Sequence, residues 1–102
     1  MVTHMVLLRF RKDAAQGEID RIFAALAGLR AKIPGLLSFS GGAYSSPEGM
    51  HKGFTHGFCM TFRDAAARDG YLPHPEHEKV KKLVLAQLDG GLDGVVAFDY
   101  AS

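Results

Sequence analysis

A single cysteine, Cys59, stands in the sequence, which excludes an internal disulfide framework and fits a reducing compartment. No apolar run approaches the ~20 residues needed to span a bilayer. Charge of either sign is scarce in excess. Twelve lysines and arginines face eleven aspartates and glutamates, and a net +1 builds no field for nucleic acid or an acidic membrane. The start, MVTHMVLLRF, has neither a basic lead nor a small-residue cleavage site, so no secretory signal is expected. Internal repeats, low-complexity tracts and linkers are absent as well. What remains reads as one soluble domain, expected in the cytoplasm. Its 102 residues, 47% hydrophobic and 23% charged, are ordinary for a globular chain. A chain of this size buries roughly 60–65% of the surface it exposes unfolded, enough for one core.

Hydrophobic periodicity sets the elements. In THMVLLRF, His4, Val6, Leu8 and Phe10 alternate onto one face, and Met5, Leu7 and Arg9 onto the other. Both faces are largely apolar, which predicts a strand covered on both sides. The stretch DAAQGEIDRIFAALAGLRAKIPG carries one apolar stripe, Ile19, Ile22, Phe23, Leu26, Leu29 and Ile33, at helical steps. Asp13 is its expected N-cap, with Gln16 completing a capping box, and Pro34-Gly35 is its stop. LLSFSGGAY predicts a second strand with a bulge at Gly41-Gly42. FTHGFCMTF predicts a third, with Phe54, His56, Phe58, Met60 and Phe62 on one face. Asp64 is placed to cap a short helix, AAARDGY. Pro75 suits the first turn of another running to about Leu88, with Val80, Leu83, Val84 and Leu88 inward. DGGLDG is a break, and VVAFDY is the last strand.

The order is βαββαβ, that of a ferredoxin-like α+β sandwich: an antiparallel four-stranded sheet with helices on one face. Helices cover only one side, yet strands 1 and 3 are apolar on both. A second copy is the simplest cover for the open face, because two-fold dimers are the commonest oligomers.

The polar residues of interest cluster around YLPHPEHEKV. Tyr71, His74 and His77 lie there, His4 is in the first strand, and His56 is in the third. Each also has a structural reading. His56 can be a satisfied core histidine, and His4 a strand histidine near a terminus. His74 can fix the loop-to-helix junction by bonding backbone. His77 can sit on a solvated helix face, and Tyr71 in the core with its hydroxyl bonded. His51 reads as exposed and Cys59 as a small buried hydrophobe. No carboxylate joins the histidines at a recognised ligand spacing, and Pro75 interrupts the His74–His77 pair, so no metal is expected. The glycine pairs lack the strand–loop–helix context of a phosphate loop.

Read together, HMVLLRF, IPGLLSFSGG, GFTHGFCMTF, YLPHPEHEKV and VVAFDY, in that order along nearly the whole chain, resemble the stress-responsive α/β-barrel domain (Dabb) family of the dimeric α+β barrel superfamily. The resemblance implies a ferredoxin-like subunit and a homodimer whose two sheets close into a barrel. It also implies a site. A plant polyketide cyclase of the family uses a tyrosine and a histidine in a Y-x-x-H-P-x-H segment, supported by histidines in the first and third strands. This sequence matches at Tyr71, His74, His77, His4 and His56. By that match Tyr71 and His77 are the catalytic pair, and His4, His56 and His74 are binding residues.

The ferredoxin-like order points the same way. It sets strands 1 and 3 side by side and lays the Tyr71–His77 segment over them, so His4 and His56 are expected at the floor of one cavity. Histidine can serve as base and acid near neutrality, and a tyrosine hydroxyl can hold an oxyanion. Such a set suits proton abstraction next to a carbonyl and needs no cofactor. The expected function is binding of a small, partly apolar carbonyl or phenolic compound, with or without acid–base chemistry. The alternative is a non-catalytic, stress-associated dimer or ligand carrier.

Overall fold

The strands assemble as the alternation predicts. A computed structural model describes residues 1–102. Strand β1 (Val2–Leu8) is followed by helix α1 (Gln16–Gly28), which ends in a 3₁₀ turn over Leu29–Ala31. Strands β2 (Leu36–Ala43) and β3 (His56–Phe62) follow, then helices α2 (Ala65–Tyr71) and α3 (Pro75–Gln87), a 3₁₀ turn over Gly91–Gly94, and strand β4 (Val95–Ala101). The sheet is antiparallel throughout, in the order β2-β3-β1-β4, so β1 and β3 are its centre.

Antiparallel register fixes which side chains share a face. His4 pairs with Met60 and Asp99, and Leu8 pairs with His56. Val2, Val6, Leu8, Met60 and Phe62 are buried under the helices, against Ile19, Ile22 and Leu26 of α1 and Val80 and Val84 of α3. On the opposite face Met5, Leu7, Val96, Phe98 and Tyr100 stay exposed. The expected inward position of Leu83 is not realised. Leu83 is exposed, and the buried stripe of α3 runs through Val80, Val84 and Leu88.

Two local expectations are corrected. Helix α1 starts at Gln16, with Ala15 as an N-cap that supplies no side-chain bond, rather than at Asp13. Arg11 is the reason. It bonds the Ala86 carbonyl and draws the Asp13 carboxylate to 3.1 Å, so residues 11–14 form a turn anchored to the end of α3. The irregularity in β2 falls between Leu36 and Ser38, not at Gly41-Gly42. Gly41 answers a different need. A Cβ there would come within 2.8 Å of both the Phe23 ring and the Phe58 side chain. Gly35 is needed twice over: its φ is +82°, and a Cβ would meet Ala67 at 2.5 Å.

The Asp64 cap is present, its carboxylate accepting the Ala67 N–H at 2.8 Å. That bond holds the Asp64 carboxyl below its ordinary value. Asp64→Ala should lower Tm by roughly 4–8 °C, as loss of a good N-cap does in a domain of this size. A thermal melt by circular dichroism checks it, and an unchanged Tm would mean that tertiary packing alone holds α2.

Candidate functional site

Helices α2 and α3 are joined by only Leu72, Pro73 and His74, and this tight connection brings the last residue of one onto the first turn of the other. The Tyr71 and His77 rings lie 4.1 Å apart between centroids, tilted by 30°. Tyr71 is 1% exposed and rests on the sheet, 5.1 Å from the Phe62 ring and 5.8 Å from the His4 ring. His4, Tyr71 and His77 all line one cavity of about 220 Å³ between sheet and helices, whose remaining wall is mostly apolar.

Hydrogen bonding assigns a role to each ring. His77 Nδ1 is 2.9 Å from the Leu72 carbonyl, which can only accept, so Nδ1 carries the proton and Nε2 of the neutral ring holds the free lone pair. Burial holds the His77 imidazole below the usual histidine value, outweighing the Leu72 carbonyl and Glu78, which favour the charged ring. The Tyr71 hydroxyl makes no hydrogen bond within the chain. No fully enclosed polar side-chain atom lacks a partner, so that oxygen opens onto the cavity. Burial, and then the Asp99 charge, push the hydroxyl well above the ordinary phenol value, which keeps its proton in place.

His4 has support that the sequence reading did not supply. Its Nδ1 lies 2.6 Å from Asp99 Oδ1, and the other oxygen of Asp99 accepts from Arg68 at 2.9 Å. Burial alone would raise the Asp99 carboxyl, but the bonds from His4 and Arg68 outweigh it and hold it below its ordinary value. An ionised Asp99 therefore accepts a hydrogen bond from the Nδ1–H of His4 and fixes the orientation of that ring. Period-two alternation in VVAFDY puts Asp99 on the helix-facing side of β4. Only the β1–β4 register names His4 as its partner.

Two expected site residues lie elsewhere. His56 faces the helices, as His4 does, but four residues along the ladder, roughly 13 Å away. There it packs edge-on to Phe10 at 5.0 Å, bonds Thr55 Oγ1 at 2.9 Å, and borders an open hollow of about 430 Å³ at the far end of the sheet. His74 is the N-cap of α3. Its Nδ1 accepts the Glu76 N–H at 3.1 Å, and its ring borders a separate hollow beside Arg63 and Gly70. The cavity thus joins His4, Tyr71 and His77 and leaves out His56 and His74. No group of three or more histidine, cysteine or carboxylate side chains is arranged to hold a metal ion, and no helix is long and apolar enough to cross a membrane.

A ferredoxin-like sheet with an apolar cavity under its helices, lined by tyrosine and histidines, defines a class of α+β domains. The sequence profile of the Stress responsive A/B Barrel Domain (Dabb) matches residues 2–102. This chain belongs to that family. It is 31% identical over 99 residues to the Arabidopsis thaliana stress-response A/B barrel domain-containing protein HS1, covering 97% of this chain and 87% of the relative. It is 24% identical over 76 residues to olivetolic acid cyclase of Cannabis sativa, covering 74% of this chain and 75% of the cyclase. Among solved structures, a dimeric ferredoxin-like protein from Jannaschia sp. superposes with a TM-score of 0.89 at 32% identity, over 99% of this chain and 98% of that one. The hydroxynitrile lyase of Passiflora edulis superposes with a TM-score of 0.86 at 25% identity, over 97% and 90%.

Proposed function

We propose that this protein binds a small, partly apolar carbonyl or phenolic compound in the cavity beneath α2 and α3, and that Tyr71 and His77 perform acid–base chemistry on it. One observation carries the reading. In an apolar cavity, a buried tyrosine hydroxyl without a partner in the chain stands beside an imidazole whose Nε2 is free. His77 Nε2 takes a proton next to the ligand carbonyl, and the Tyr71 hydroxyl donates to the oxygen on which charge develops. His4, held by Asp99, forms the third polar wall. These steps move protons only, so the proposal includes no cofactor and no metal. Two relatives have names that denote a lyase for hydroxynitriles and a cyclase, which supports chemistry at this site. Cytoplasmic residence belongs to the proposal and rests on the unpaired Cys59.

A homodimer formed through the open sheet face is also part of this reading. It draws support from the Jannaschia structure, which is described as dimeric, and from the exposed apolar side chains of β1 and β4.

The test is a thermal-shift and native mass spectrometry screen of chelator-treated protein against small phenols, β-ketoacids and polyketide analogues. Ligands of this class should raise Tm and be retained. Ala97→Phe, which places a ring at the cavity wall from an exposed position, should abolish their binding. Hits that bind Ala97→Phe as well as the parent protein would remove the cavity from the account. Hits that bind in the cavity but are recovered unchanged in every case would turn the reading into that of a ligand carrier.

A further inference from the structure

One wall of the cavity carries a charge that the chemistry above does not use. Lys81 follows His77 by one helical turn on the same side of α3, and both side chains line the cavity. Glu78, one turn before Lys81 on α3, makes no salt bridge with it, and other charges of this region are matched elsewhere. Glu76 faces Lys79 at 3.4 Å and Lys32 at 3.6 Å, and Arg68 is engaged by Asp69 and Asp99. Lys81 forms no salt bridge with any carboxylate of the chain. The exposed side chains around it on this wall, Leu72 and Leu92, are apolar. An ammonium group that forms no salt bridge within the chain therefore stands at the rim of a mostly apolar chamber, beside the imidazole with the free Nε2.

We propose that the ligand of this cavity is a carboxylate of fragment size, its anionic group at Lys81 and its apolar body among Leu26, Phe58 and Val84. This rests on the proposed use of the cavity and names the substrate class for it. Size limits the choice, since about 220 Å³ lies below the roughly 300–1,000 Å³ of sites for drug-sized molecules. Spacing limits it further. Side chains one turn apart on a helix have Cβ atoms roughly 5–6 Å apart. A carboxylate held at Lys81 thus leaves the next two or three atoms of the ligand beside His77 and Tyr71. A 3-oxo carboxylate has this layout, with its acidic CH₂ between the anchoring group and the carbonyl that the Tyr71 hydroxyl would hold.

Octanoate and octanamide serve as the probes, being nearly equal in shape and different in charge. Their affinities are measured by isothermal titration at pH 8 and low ionic strength, for the parent protein, Lys81→Met and Lys81→Glu. The methionine keeps the apolar stem and removes the charge. Lys81 is exposed, so all three should share one Tm. The parent should prefer octanoate by roughly twofold to fivefold, the range of a partly exposed ion pair, and the preference should shrink in about 0.5 M salt. It should vanish in Lys81→Met and invert in Lys81→Glu. A preference that survives Lys81→Met, or equal affinities in the parent, overturns the carboxylate assignment while leaving cavity binding intact. Binding of neither probe by the parent removes cavity binding and the assignment with it.

Discussion

His77→Ala is expected to lower turnover of any substrate found for this cavity by about 10²–10⁴-fold, the contribution of a well-placed general base. The fold should survive, because His77 is only partly buried and its ring lies against Tyr71 rather than within the core cluster. Tyr71→Phe keeps the packed ring and removes one donor, so its loss should fall at the lower end, about 10²-fold. The pH profile follows from the environment of each group. Burial lowers the His77 value from 6.5, so the neutral, basic form persists into mildly acidic solution. The rate should rise with pH through an ionisation below 6.5 and then stay level. Tyr71 is shifted upward and should add no alkaline limb near the ordinary phenol value of 10.0.

The same lowered value has a stability counterpart. The unfolded chain takes up a proton at His77 more readily than the folded chain does, so stability is fullest above 6.5 and declines as pH falls through that value and the lower folded one. His77→Ala should remove part of that decline. Single-turnover rates across pH, paired with thermal melts, check both claims. Intact turnover with a lowered Tm in His77→Ala would make the histidine structural.

Alternation grouped His4 with Val6 and Leu8, and His56 with Phe58 and Met60, but both faces of these strands are apolar, so only the folded chain shows that this set faces the helices. Nor did alternation tell how far along the strand each would meet the helices above. That distance depends on register and on where α2 ends, and it separates His56 from the cavity by four ladder positions. Tyr71 and His77 were readable as a pair through the resemblance of their segment to Y-x-x-H-P-x-H, and the short connection between them, with Pro73 and Pro75, is what brings the two ring centroids to 4.1 Å. His74, between the same prolines, was equally conspicuous, but the start of α3 needs an acceptor for an unpaired N–H and uses its ring for that. Asp99 shows the opposite case. It lies 95 residues from His4 in sequence, and only the pairing of β1 with β4 brings the two together. Asp13 looked like a cap in isolation, and a contact from Arg11 to the far end of α3 decided otherwise.

Phe98→Asp is expected to convert the proposed homodimer to monomer at micromolar concentration while leaving the protomer folded. Phe98 is 63% exposed in the isolated chain, so a charge there costs the fold little. The open face is divided. On β4 and β1 it carries Val96, Phe98, Tyr100, Met5 and Leu7, whereas on β3 and β2 the paired positions are Gly57, Cys59, Thr61, Ser38, Ser40 and Gly42. A two-fold axis running along the strands, between the two sheets, sets the bulky half of one copy over the slight half of the other. The face is then complementary to itself, as an interface between identical copies must be. In that arrangement Phe98 is covered at two equivalent places in the dimer by symmetry. At about 1.5–3 kcal/mol per buried phenylalanine, losing both costs roughly 3–6 kcal/mol, or about 10²–10⁴-fold in Kd. Stranding two carboxylates in the interface adds to that. Phe98→Leu should keep the dimer, and Cys59→Asp, in the same row on the slight half, should weaken it as Phe98→Asp does. Light scattering gives the mass and circular dichroism the fold. A Phe98→Asp protein that keeps its dimer mass would place the contact on another surface and leave the open face uncovered.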